Sequence, residues 1–199
     1  MKKIILLALL LLMGSHSYSQ KKKKAATKKS LATMGACVSK IDNLTAEVKG
    51  GNFQITIANK GKATDAIIVK SKDAGSSPID CKLASFTGSA TKLYLLQWIE
   101  KALIKTGTKT EDKTIIYSAV YEITSKKQVF SNTQTTNHIT EIVSLGGTAA
   151  TETQEKIRRE GFECILNADG TITQKNKTQE NKWIYDAVSA EFVDAKKKK

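Results

Sequence analysis

The chain has a single proline, Pro78, and only two arginines, the adjacent Arg158 and Arg159. Aromatic residues make up 6% of it, histidine occurs twice and cysteine three times. One proline and no Pro/Gly-rich stretch argue against a chain divided by a linker. Scarce arginine argues against a sequence-specific reader of DNA or RNA, which sets Arg and aromatic groups on a basic patch of the fold. With no CxxC pair and no histidine cluster, nothing points to zinc. No GxSxG, P-loop or GxGxxG pattern occurs, so the simplest signatures of acyl-transfer and nucleotide chemistry are missing. No cofactor is expected.

Long apolar runs are also lacking, except for the ten residues Ile4–Met13. Lys2 and Lys3 precede that run, and Gly14–Ser19 follows it. Ser17 and Ser19 occupy the −3 and −1 positions of a small-x-small cleavage site, so residues 1–19 read as a secretory signal peptide and Gln20 as the mature start. The run is too short to cross a bilayer core, which takes about 20 residues. No Cys follows it closely enough to carry a lipid. The expectation is an exported chain, periplasmic or secreted, with no transmembrane segment after cleavage.

The formal charge is +13. It is unevenly placed. Lys21, Lys22, Lys23 and Lys24, with Lys28 and Lys29, lie in a basic arm over 20–33, and Lys196, Lys197, Lys198 and Lys199 form a basic tail. The stretch between, Ser30–Ala195, holds 20 basic and 19 acidic residues. Blocks of like charge repel, stay solvated and often act as interaction tails. Lysines beside an anionic membrane are worth about 1 kcal/mol each. The eight lysines of Lys21–Lys24 and Lys196–Lys199 are therefore the expected contacts for acidic lipid, lipopolysaccharide or another polyanion. An unidentified protein partner is equally compatible with such arms, whereas specific nucleic-acid binding is not expected.

Residues 34–195 are expected to form one β-rich domain, large enough for a core without staples. In an exported chain a disulfide persists. Cys37 and Cys81 both lie near loops and are the preferred pair. Cys164 alternates with Phe162 and Leu166 and reads as a small core residue.

Phe53, Ile55 and Ile57 alternate with polar residues, and Ala63–Lys70 returns the chain across Asn59–Lys62 as a hairpin. Lys82–Phe86 reads as a short strand. Thr114–Ile123 is rich in β-branched and aromatic residues. Gln128–Thr136 and His138–Leu145 continue as strand, with a polar middle, Ser131–Asn137, suited to an edge or bend. Phe162–Leu166 and Thr171–Gln174 turn over Asp169-Gly170. Trp183–Tyr185 and Glu191–Val193 close the domain.

Two segments carry helical signals. Over 91–105, Leu95, Leu96, Trp98, Ile99, Ala102 and Leu103 share a helical face. The same segment also reads as a strand pairing with Thr114–Ile123. Residues 151–160 have a capping-box start at Thr151 and Gln154, Arg158 and Arg159 in the last turn, and Gly161 as a left-handed stop. The expected class is α+β, mainly antiparallel β, barrel-like or sandwich-like, with a short helix near 151–160.

No catalytic residue is named. Asn167-x-Asp169-Gly170 lacks the outer ligands of a calcium loop, since Ile165 and Asn176 occupy those registers. The expected function is a non-catalytic exported module touching polyanions through its lysines. One alternative is a barrel-like carrier of a small apolar ligand lined by aromatics such as Trp98 and Tyr117. Another is an enzyme with a dispersed site around His138.

Overall fold

Strand β6, Thr91–Thr106, is apolar without interruption through Leu93–Leu96, and the fold explains why. The computed structural model describes residues 37–71, 76–147 and 149–196, all within a unit spanning 34–199. Within each of three sheets, every strand pairs antiparallel with the next along the chain. β1 (Val38–Ile41), β2 (Leu44–Lys49), β3 (Asn52–Asn59) and β4 (Lys62–Lys70) make the first sheet. β5 (Asp80–Gly88), β6, β7 (Lys109–Glu122), β8 (Lys127–Ser144) and β9 (Thr151–Gly161) make the second. β10 (Glu163–Leu166), β11 (Ile172–Lys175), β12 (Glu180–Asp186) and β13 (Glu191–Asp194) make the third.

The second sheet is the middle layer. Tyr94, Leu96 and Trp98 of β6 pack with Phe53, Ile55, Leu44 and Ile67 of the first sheet. Leu93 and Leu95, pointing the other way, pack with Ile172, Tyr185 and Phe192 of the third. Each fully buried Leu or Phe is worth about 1.5–3 kcal/mol. After Glu100 the covering sheets end, and β6 runs exposed on both faces.

The sheets stay open rather than closing into a barrel, and the layered sandwich is what remains of the expected architecture. The described residues contain no helix, and both helical expectations are corrected. The 91–105 segment is β6. Burial on both faces removes the polar alternation that marks a strand, and the surviving apolar run imitates a helical face. It pairs with β7 across the turn Gly107-Thr108. The 151–160 segment is β9, whose backbone pairs with β8 from Gln134↔Gly161 to Ser144↔Thr151. Its good helix formers have no apolar stripe to bury, so the available ladder wins over propensity. The polar middle of β8, Ser131–Asn137, does not bend away. β8 runs straight through it, and Asn132 and Asn137 are buried.

Cys37 and Cys81 form a disulfide that joins the start of the first sheet to β5. Its sequence separation is 44, and closing such a loop in the unfolded chain is worth about 4 kcal/mol on the chain-entropy account. Cys164 is free and partly buried against the second core.

Two glycines hold backbone positions that a side chain would block. Gly161 (φ +79°) lies where a Cβ would strike the Thr133 carbonyl. Gly170 (φ +77°) sits in the β10–β11 turn against the Thr87 carbonyl, where the third sheet meets the second. Gly170→Ala and Gly161→Ala are each expected to destabilise the fold by at least about 1–3 kcal/mol, read as a lower denaturation midpoint. Gly107→Ala, at a turn with open space around it, is expected to cost less than either.

Candidate functional site

On the face of the middle sheet that meets the third sheet, the apolar floor gives way to polar side chains two residues further along each strand. Leu95 is followed by Gln97, Val120 is preceded by Ser118, and Phe130 is followed by Asn132. The register sets Gln97 opposite Ser118 and Ser118 opposite Asn132, so the three share one row across β6, β7 and β8. β10 supplies the facing wall with Glu163 and Cys164, and Gln134 extends the row. Between them lies a cleft of about 320 Å³, at the small end of ligand-pocket sizes.

The cleft's amides are set by hydrogen bonds. Gln97 Nε2 donates to Ser118 Oγ (3.1 Å). Asn132 Nδ2 donates to the Phe162 carbonyl (2.8 Å), and its Oδ1 accepts from Gln174 Nε2 (2.8 Å). Gln174 Oε1 in turn accepts from Trp183 Nε1 (2.7 Å). Burial pushes the Cys164 thiol up, with a hydrogen bond to Ser118 opposing it. A protonated thiol is a poor nucleophile.

A second buried polar cluster lies on the opposite face. Glu100 is 2% exposed. Its Oε2 accepts from Lys70 Nζ and from Ser76 Oγ, both at 2.6 Å, and its Oε1 accepts from Trp98 Nε1 at 3.0 Å. Lys70 also donates to the Ser76 carbonyl (2.6 Å). The carboxylate is thus enclosed by donors from three segments. Trp98 stacks on Tyr117 with ring centroids 4.8 Å apart and meets Phe53 edge-on at 5.5 Å. Burial, and then the Glu100 charge, push the Tyr117 hydroxyl up.

His138 is exposed on β8, opposite Asp112 on β7 and Ile157 on β9. Glu111 lies on the other face of β7, where Lys109, Asn137 and Lys113 hold its carboxyl at about 2. Asp169 closes the β10–β11 turn. It accepts at Oδ1 from the Thr171 hydroxyl (2.6 Å) and amide (3.0 Å), while Lys182 Nζ lies 3.1 Å from Oδ2. Those contacts lower its carboxyl to about 2.

Lys21–Lys24 and Lys197–Lys199 lie outside the described residues, as does the leader. Lys196 is exposed, and its amide donates to Asp194 Oδ1 (2.9 Å). Cys37 and Cys81 serve the scaffold, and Cys81 also borders the cleft. Gln97, Ser118, Asn132 and Gln134 were not singled out by sequence reasoning. Each occupies the alternating polar position of a strand, which reads as solvent-facing. The one available signal was their in-line continuation of Leu95, Val120 and Phe130. No known protein family matches the chain, no curated protein is significantly similar to it, and no solved structure significantly matches its fold.

Lys70→Met leaves the Glu100 carboxylate buried without its cation and is expected to cost about 3 kcal/mol in a denaturant titration. The double change Lys70→Met with Glu100→Gln is expected to recover a measurable part of that loss. Asp169 gives a pH dependence of known sign. Its folded value of about 2 lies below the ordinary 3.8, so its contribution is complete above pH 4 and lost as pH falls through about 2. Asp169→Asn is expected to flatten that part of the stability–pH curve.

Proposed function

We propose that the chain is an exported, non-catalytic binding module that works at the cell envelope or outside the cell, held weakly at anionic surfaces by its lysine-rich ends. The observation that carries this reading is the charge distribution, with 20 basic and 19 acidic residues between the arms and the excess in the arms themselves. Within the body, ion pairs such as Lys92–Asp42 (2.8 Å), Lys109–Glu111 (2.6 Å) and Lys182–Asp169 (3.1 Å) match cation to anion locally. The Cys37–Cys81 disulfide suits an oxidising compartment, and no helix among the described residues is long and apolar enough to cross a membrane. The cleft's amides, Gln97, Asn132 and Gln134, suit holding a polar group of a bound molecule.

A second reading, carriage of a small molecule, is favoured by the cleft alone. Trp98 stacks on Tyr117 and also borders the cleft, whose lining mixes Trp98, Ile99 and Ile116 with Gln97, Ser118 and Asn132. A ligand there would be small, with an apolar part against Trp98, Ile99 and Ile116 and an amide or hydroxyl toward Gln97 and Asn132. His138, with Asp112 as its cross-strand carboxylate, supports catalysis less well.

Co-sedimentation with phosphatidylglycerol-containing vesicles tests the main reading. The full chain is expected to bind at low salt and release steeply as salt rises. Replacing Lys21–Lys24 and Lys196–Lys199 with Gln is expected to abolish that binding and leave the circular dichroism spectrum unchanged. Binding that survives the replacement refutes the role of the arms.

A further inference from the structure

β9 is the outer edge of the middle sheet. All eleven of its residues are exposed, and neither a proline nor a register shift interrupts it. An edge of this length presents unpaired backbone groups to any strand that fits. Two hydrogen bonds fix which groups those are. Ile142 N–H donates to the Thr108 carbonyl and Leu145 N–H to the Ala150 carbonyl, both at 3.0 Å. Alternation along the antiparallel ladder then turns the even-numbered residues of β9 toward β8. The N–H and C=O groups of Thr153, Glu155, Ile157 and Arg159 point outward.

Those four residues suit an antiparallel pairing with themselves. With Ile157 on a two-fold axis, Ile157 faces Ile157 of the second copy, and Glu155 and Arg159 face Arg159 and Glu155. The overlap runs from Thr153 to Gly161. Among the described residues, neither Glu155 nor Arg159 has an ion-pair partner within its own chain. Axes on Glu155, Lys156, Arg158 or Arg159 would each set like charges face to face, which destabilises a cross-strand pair. Axes on Thr153 or Gln154 shorten the overlap. The Ile157 register also sets like charges opposite, Lys156 against Arg158, but Glu160 lies 2.6 Å from Arg158 and offsets them, and the two-fold axis itself carries no charge. The groove beside Arg159, about 500 Å³ and bordered by Lys175 and Lys177, would receive Glu155 of the second copy.

We propose that β9 is a self-association edge, at which two copies of this chain join their middle sheets by antiparallel pairing centred on Ile157, with reciprocal Glu155–Arg159 ion pairs. Such a pair is isologous and closes on itself. It does not depend on the lysine arms.

Sedimentation-velocity ultracentrifugation of the full chain across the micromolar range tests this. The expected result is a monomer–dimer equilibrium. Arg159→Glu sets carboxylates opposite each other and is expected to weaken the dimer about tenfold or more. Glu155→Arg combined with Arg159→Glu restores opposite charges and is expected to restore the dimer. Both residues are exposed, so an unchanged thermal midpoint will show that the variants fold. A monomer at every concentration, a dimer indifferent to Arg159→Glu, a failure of the charge swap to rescue, or open-ended species larger than a dimer would each overturn the proposal.

Discussion

Between Leu93 and Leu96, β6 is shut off from water by one sheet on each side. Its amides must then find partners within its own layer, and β5 and β7 supply them along its length. Leu95 and Leu96, adjacent in the chain, belong to different cores. The two cores therefore share one strand, and neither can loosen without exposing the side of the layer that the other relies on. The long strands leave the covering sheets at about Glu100 and continue as a ribbon with two wet faces. The exposed edge at β9 is a product of that change of surroundings.

The legible parts of the fold were those where apolar and polar residues alternate, even where the polar side is buried, as at Gln54 and Thr56 of β3. Phe53, Ile55 and Ile57 alternate with polar neighbours, and β3 with its return strand β4 could be read directly. The turn at Asp169-Gly170 was readable because its chemistry is local: Gly170 supplies the positive φ and Asp169 ties down Thr171. The two illegible segments are the two extremes of exposure. β6 is dry on both faces over Leu93–Leu96 and β9 is wet on both, and in neither stretch does a two-residue period survive. Gly161 shows how the error arose. Its left-handed backbone was anticipated, but it serves the step from β9 to β10 rather than a helix end. The cleft was hidden for a related reason. Whether Gln97 and Asn132 face water or another sheet depends on where β10 and β11 come to rest, which no local pattern records.

Apolar faces alone allow sheets to slide over each other, while hydrogen bonds between layers allow one fit. Gln174, on β11, takes a bond from Trp183 within its own sheet and gives one to Asn132 of the middle sheet. Glu100 gathers Lys70 from the end of the first sheet and Ser76 from the segment before β5. Such contacts add modest net stability, since desolvation offsets most of the gain, but a half-made version is costly. They set the register between layers that the leucines and phenylalanines press together.

Among the described residues, every ladder joins neighbours along the chain, so each sheet is a meander needing only short-range contacts. Loop-closure entropy is small for such pairings, and long-range ordering is left to the stacking of finished layers. For a polypeptide emerging in order from its N-terminus, the first layer contains all its own strands before the second begins. Its covalent tether waits for Cys81, at the opening of the next layer. The order of assembly is thus written into the connectivity: zipping within layers first, clamping between them afterwards.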